Sequence, residues 1–281
     1  MISFWHWHTE PALIIGLLAA AWLYGMAIGP GRPFLATGVA FPRKELFAFS
    51  IGLVVFYLAV GSPLDAIGEN YLFSAHMLQH LIFMYISAPL LIYALPAWLI
   101  DGVLRRSCWL LAAFRFIVHP VVAGFIFTFT FSVWHFPAFY EAALHSKRIH
   151  MFEHLTMFFT SVLMFWPILS RSELAPRRHY GAVLIYLFAL MVVQIPLFGI
   201  LTFSTDVLYP TYEFAPRLIP ALEPLQDQVL GGLIMKVGNM VVSLIIFGWV
   251  FLQWNADQER STRTPNTALR PRTVMALGQL R

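Results

Sequence analysis

Charge is scarce in this chain. Asp, Glu, Lys and Arg make up 11% of its 281 residues, against 59% hydrophobic ones, and the mean hydropathy is +0.72. A soluble domain of this length needs far more charge, so the composition excludes a water-soluble globule and indicates a polytopic membrane protein. No polar stretch is long enough to fold alone. That leaves one domain, residues 1–255, and a basic tail, residues 256–281. A single cysteine, Cys108, rules out an internal disulfide. It has no Cys-x-x-Cys partner and falls in the loop between the third and fourth apolar stretches, where it reads as a thiol without a role. A Gly-rich phosphate loop, a serine nucleophile elbow and a His-Glu-x-x-His zinc-protease motif are all missing, so the chain reads as non-enzymatic. The basic residues lack a soluble face on which to form a groove, which argues against nucleic acid.

Long apolar runs are present instead. Seven of them, roughly 11–29, 45–62, 74–96, 116–136, 150–169, 180–203 and 229–254, are long enough to span, since a crossing takes about 20 helical residues. The expected fold is an all-α bundle of seven transmembrane helices. No Lys or Arg precedes the first run, and it exceeds the usual apolar core of a signal peptide, so it is expected to stay as a helix. Fourteen of the 18 Lys and Arg residues fall in the 1–2, 3–4 and 5–6 loops and the tail; Lys147, Arg148 and Arg217 face the other side and Lys236 lies inside span 7. The positive-inside rule then places the N-terminus outside and the tail in the cytoplasm, where its arginines can touch anionic lipid.

With that orientation the ten histidines sort themselves. His6, His8, His76, His80, His135, His145, His150 and His154 lie at or near the outer surface; only His119 and His179 lie on the cytoplasmic side. Four of the outer eight form a repeat. His76-Met77-Leu78-Gln79-His80 returns as His150-Met151-Phe152-Glu153-His154, each at the head of an apolar run. Histidines at i and i+4 share a helix face, about 5–6 Å apart at Cβ. Spans 3 and 5 run in the same direction, so the two pairs sit at similar depth. Span 4 ends in Trp134-His135-Phe136-Pro137, which adds a fifth histidine at that level.

Imidazole ligates copper, zinc, iron and nickel, and thioether favours Cu(I). Met84 and Met157 continue the two histidine faces as possible soft ligands, which favours copper over zinc. Gln79 and Glu153 hold matched places and are candidate acceptors for imidazole N–H groups. Taken singly, an interfacial His is usually a polar side chain reaching water, and a Met at helical spacing is usually core filler. Four imidazoles on two lipid-embedded helices are harder to leave without a ligand. Lys236 is costly inside a span unless it snorkels or pairs with an acid. Asp227 is too far along the helix for that, so Glu153 or a loop carboxylate is its expected partner. Asp65, Glu69, Glu141, Asp206, Glu213, Glu223 and Asp227 form an acidic outer surface that can attract a cation or a basic partner, although such charge is mostly ordinary solvated loop charge.

At these residues the chain resembles the CtaG family of multi-span cytochrome c oxidase assembly factors. The resemblance rests on several stretches. Ser62-Pro63-Leu64-Asp65 comes first, then Leu72 through His80 and Ala88-Pro89-Leu90-Leu91. Trp134-His135-Phe136-Pro137 follows, with Tyr140 and Ala142-Ala143, then His150, Glu153-His154 and Phe165-Trp166-Pro167. Asp227-Gln228 and Gly231-Gly232-Leu233-Ile234-Met235 complete it. One departure stands out: the family usually continues with Trp and a Pro-Gly pair, where this chain has Lys236-Val237-Gly238. The resemblance implies a protein of the bacterial inner membrane that helps make active haem-copper oxidase. It further implies copper delivery to the binuclear centre, with oxidase subunit I as acceptor and a periplasmic copper chaperone as a possible donor. Two other readings stay open. One is a haem protein, either an electron carrier or a haem-modifying enzyme, with axial histidines such as His80 and His154. The other is a metal-free scaffold for oxidase folding.

Overall fold

The computed structural model describes Trp7 and residues 9–263, with only the backbone described for Ser261 and Arg263. His6, His8 and the tail residues Arg270, Arg272 and Arg281 lie outside the described residues. Among the described residues all regular structure is helical. Helix α1 (Pro11–Ile28) leads through a single turn, α2 (Arg32–Leu35), to α3 (Arg43–Val60), which α4 (Pro63–Asn70) extends. The third crossing is α5 (Phe73–Ile82), a π-helical turn (Phe83–Ser87) and α6 (Ala88–Tyr93). Two helices, α7 (Ala97–Leu104) and α8 (Cys108–Ile117), precede α9 (Pro120–Trp134) and the short α10 (Pro137–Leu144). Then come α11 (Lys147–Leu169), α12 (Tyr180–Val193), α13 (Ile195–Phe203), the turn α14 (Pro210–Glu213) and α15 (Pro224–Arg263).

Six of these helical stretches are long and apolar enough to cross a membrane, and seven if the bent pair α8 and α9 counts as one. Large apolar side chains such as Trp22, Phe47, Phe125, Phe188 and Ile245 point outward, as lipid-facing residues must. This is a multi-pass membrane protein. Several expected boundaries need correction. The fourth run, 116–136, bends by 63°, because Pro120 bars His119 from helical geometry and holds it extended at ψ 132°. Cys108 accordingly sits exposed at the start of α8, not in a loop. The sixth run breaks at Gln194, just before Pro196. The last helix starts five residues before its expected run and, with 40 residues, is about 60 Å long, far more than the hydrocarbon core needs.

The third crossing lies deepest, with α15 and α4 packed against α5. Gly238 of α15 faces Leu81 so closely that a Cβ there would collide with it. The chain's departure at Lys236-Val237-Gly238 therefore still supports a tight contact between α15 and α5. The π turn leaves a carbonyl in need of a donor, and Ser161 Oγ of α11 reaches Met84 O at 2.6 Å. That bond ties α11 to the same crossing. By contrast α1 buries only Tyr24 and Ile28, both near its C-terminal end. Tyr24 stacks on Phe49 with ring centroids 4.0 Å apart and donates to Ala94 O at 2.6 Å.

Candidate metal centre

Position begins with the helix that carries His76 and His80. The first N–H groups of a helix have no partner within it, and α5 solves this across the bundle. Asp227 of α15 accepts from Phe73 N at 2.6 Å and from Ser74 N at 3.2 Å. Asp227 is 3% exposed, so it is a structural clamp on the histidine helix and not solvated loop charge. On the other side Gly68 lets α4 press against His76: a Cβ on Gly68 would lie 2.9 Å from His76 Cα.

The two pairs meet. Ring centroids are 4.3 Å apart for His76 and His80, 4.0 Å for His150 and His154, and 5.2 Å for His80 and His154. His150 stands 5.4 Å from His76, and His135, at the end of α9, stands 6.2 Å from His80. All five histidines and Glu153 are buried.

Their hydrogen bonds share a pattern. His135 Nδ1 donates to Phe131 O at 2.7 Å, and His150 Nδ1 donates to Glu69 Oε1 at 2.6 Å. A ring that donates through Nδ1 leaves Nε2 with a bare lone pair. His76 fits the same scheme through two tyrosines. Tyr212 Oη donates to Gly68 O at 2.7 Å, so it accepts from Tyr140 Oη at 2.9 Å. Tyr140 is then free to accept from His76 Nδ1, also at 2.9 Å. This assignment leaves His76 Nε2 as a lone pair, 2.8 Å from His80 Nε2. Burial pushes the hydroxyls of Tyr140, Tyr209 and Tyr212 well above the ordinary tyrosine range, so they remain neutral hydrogen-bonding groups.

What these bonds leave over is a concentration of unpartnered donor atoms. The Nε2 atoms of His135, His150 and His154 and both carboxylate oxygens of Glu153 are buried without a hydrogen bond. Glu153 Oε1 lies 3.9 Å from His80 Nε2. One ligand atom from each of His76, His80, Glu153 and His154 lies within 4.8 Å of the others, and Asp65, His150 and His154 form a second such group. Buried polar atoms normally find partners. A cation among these lone pairs would provide them, so the residues present fit a metal ion of the kind imidazole and carboxylate bind.

Several expectations change. Gln79 donates through its amide nitrogen to Asp65 and so holds a carboxylate rather than an imidazole. Glu153 sits among the ligand-capable atoms themselves. Lys236 is remote from the cluster: it donates to Met191 O at 3.3 Å, with Phe198 5.5 Å away as a cation–π partner, and neither Glu153 nor a loop acid meets it. Met84 and Met157 are buried in the main apolar cluster with Phe83 and Phe131. His145 is exposed and donates to Glu141 O at 2.7 Å, while His119 stands at the N-cap position of α9 without a side-chain bond and His179 caps α12 by accepting from Gly181 N. The acidic loop reading is overturned for Asp65, 4% exposed, for Glu69, and for Glu141, which accepts from Thr211 Oγ1 at 2.6 Å.

Sequence reasoning missed Asp65 and Glu69 as site residues, along with Tyr140 and Tyr212. Asp65 and Glu69 are four apart on α4 and face the cluster together; that spacing was a readable signal. Tyr212 offers none, since it reaches the site from a turn 136 residues beyond His76.

No curated protein and no solved structure matches the chain. A family model described as the cytochrome c oxidase caa3 assembly factor matches residues 22–257, which include all five clustered histidines, Asp65, Glu69, Glu153 and the clamp at Asp227. The chain belongs to the family of cytochrome c oxidase caa3 assembly factors.

Proposed function

We propose that this protein binds copper among His76, His80, His135, His150 and His154, with Glu153, and supplies it to the binuclear centre of the oxidase. One observation carries the reading: His76, His80, Glu153 and His154 each bring one ligand atom within 4.8 Å of the others, and among them His154 Nε2 and both Glu153 oxygens are buried without a hydrogen bond. The donor set by itself suits copper and zinc alike. An oxidase partner makes copper the metal with a destination. Monodentate imidazoles can be exchanged one at a time, which suits a site that must release its cargo to histidines of oxidase subunit I. The protein's place is the bacterial inner membrane, with Met1 and the cluster on the outer side and Arg281 in the cytoplasm, as the Lys/Arg asymmetry supports. A periplasmic copper chaperone is a suitable upstream donor.

The haem alternative fares worse on this geometry. His76, His80 and His154 are in mutual ring contact, with His150 against His76 and His154, and a porphyrin needs a planar gap between its axial ligands.

The test is substitution of His80 or His154 by alanine in cells. Active oxidase in the membrane should fall while the level of this protein holds, and added copper should restore part of the activity in the weaker variant, since occupancy follows the ratio of free ion to dissociation constant. Normal oxidase activity at limiting copper in both variants overturns the copper reading and leaves the scaffold role.

A further inference from the structure

The histidine chamber borders a cleft at His150 and His154. Helix α1 buries Tyr24 and Ile28 toward its C-terminal end, whereas its N-terminal half, with Leu13 partly buried against the core, leaves a gap toward α3 and α11. The gap is a cleft of about 430 Å³. Its lipid-depth walls are apolar, among them Leu13, Phe56 and Phe158. Its other end is polar: Glu10, Lys147, Asp65, Glu69, His150 and His154 all line it. Glu10, Asp65 and Glu69 put carboxylates at that mouth, a chemistry that favours cations. The top of α1 is tethered across the mouth by Lys147 Nζ and Glu10 Oε1 at 2.6 Å, with both side chains substantially exposed. Such exposed pairs hold weakly in water.

Behind the mouth lies the second ligand group. Asp65, His150 and His154 each bring one ligand atom within 4.8 Å of the others. Glu69 accepts the hydrogen bond of His150 Nδ1, which leaves His150 Nε2 buried and unpartnered, as is His154 Nε2. His154 also belongs to the deeper group with His76, His80 and Glu153. The two groups therefore stand in series and share one imidazole. They differ in accessibility: the His76 and His80 side chains are 0% exposed, whereas His150 and His154 keep 6% and 7% and line the cleft.

Resting on the copper reading above, we propose that the α1 cleft is the ion's route into the protein, and that Asp65, His150 and His154 form an entry site that passes it through His154 to His76, His80 and Glu153. The entry site contains an oxygen ligand and suits an incoming, still partly hydrated cation. The deep site is richer in nitrogen and holds the ion after its water is gone. Because both steps use His154, the ion moves by exchange of the remaining ligands around one fixed imidazole.

Gly16 gives a test that touches no ligand. It lines the cleft, and a Cβ there meets nothing within 4 Å. Six residues below Glu10, it lies about 9 Å down α1; His154 lies about 10 Å down α11 from Lys147, at similar depth. Purified full-length wild type, Gly16→Leu and Asp65→Asn are mixed with copper held by a chromophoric chelator, and loading, release and equilibrium occupancy are read from the dye. Gly16→Leu should slow loading and release together by about 10-fold or more and leave equilibrium occupancy unchanged, as a plug in the route must. Asp65→Asn should slow loading by a similar factor. Should Asp65→Asn fail to fold, Gly16→Leu carries the test alone. Wild-type rates in Gly16→Leu, or a change in one rate alone that shifts the occupancy, overturn the route while the copper reading stands. A wild-type protein that takes up no copper overturns both.

Discussion

Asp227 is where the fold and the site meet, and its substitution gives a calculable result. Its two oxygens hold the first N–H groups of α5 at 2.6 and 3.2 Å, so Asp227→Ala strands two buried donors. Loss of a helix cap costs about 0.5–2 kcal/mol, and a buried donor left unpaired about 1–3 kcal/mol. Relaxation at a helix end recovers part of this, so the net loss should be about 2–3 kcal/mol. At about 1.4 kcal/mol per tenfold, that is roughly a 30- to 140-fold shift toward the unfolded state. Asp227→Asn keeps one carbonyl oxygen and should lose about half as much. The assay is an unfolding titration in mixed detergent micelles, with copper affinity measured on the same samples. Affinity should fall together with stability, because the freed turn is the one that aims His76 and His80. If Asp227→Ala unfolds at the wild-type midpoint, the cross-bundle clamp contributes nothing and the reasoning fails.

Four further outcomes follow from the same contacts. Glu69→Gln weakens the acceptor that fixes His150, and outer ligand-supporting changes of this kind lower metal affinity by about 10–100-fold; competition with a chelator reads it. Tyr140→Phe removes the acceptor of His76 Nδ1 and one neutral hydrogen bond, for about 1 kcal/mol of stability, and should reduce copper affinity more than Tyr180→Phe, a tyrosine remote from the cluster. The hydroxyls of Tyr140, Tyr209 and Tyr212 titrate well above their unfolded value of about 10, so their contribution is complete below about pH 10 and is lost as pH rises further, when the unfolded chain ionises and the native one does not; unfolding midpoints should fall above about pH 10, and that fall should shrink when these tyrosines are replaced by Phe. A reporter fused after Arg281 should be active only in the cytoplasm; periplasmic activity would reverse the orientation and put the histidines on the wrong side.

Local periodicity was the legible part. The apolar runs, the i, i+4 spacing of both histidine pairs and the position of His135 before Pro137 all follow from chain-local rules, and the pairs do converge. Contacts between distant segments were not legible. Asp227 reaches α5 across 154 residues, and Asp65 and Glu69 look like solvated charge until α4 folds back along α5. Lys236 invites pairing with an acid because Coulomb attraction is the obvious remedy for an amine within a span; the fold uses a carbonyl freed near the α12–α13 break and an aromatic face instead. The bend before Pro120 could have been read from the proline alone. The π turn at Phe83–Ser87 could not, since it depends on Ser161 from another helix.

Metal analysis of the purified protein tests the central claim most directly. Wild type, purified after growth with copper, is compared with the variant carrying alanine at His76, His80, His150 and His154, each shown to be folded by its unfolding midpoint. The account predicts copper near one ion per chain in wild type and none above background in the variant. Copper-free wild type, or equal copper in both proteins, would contradict it.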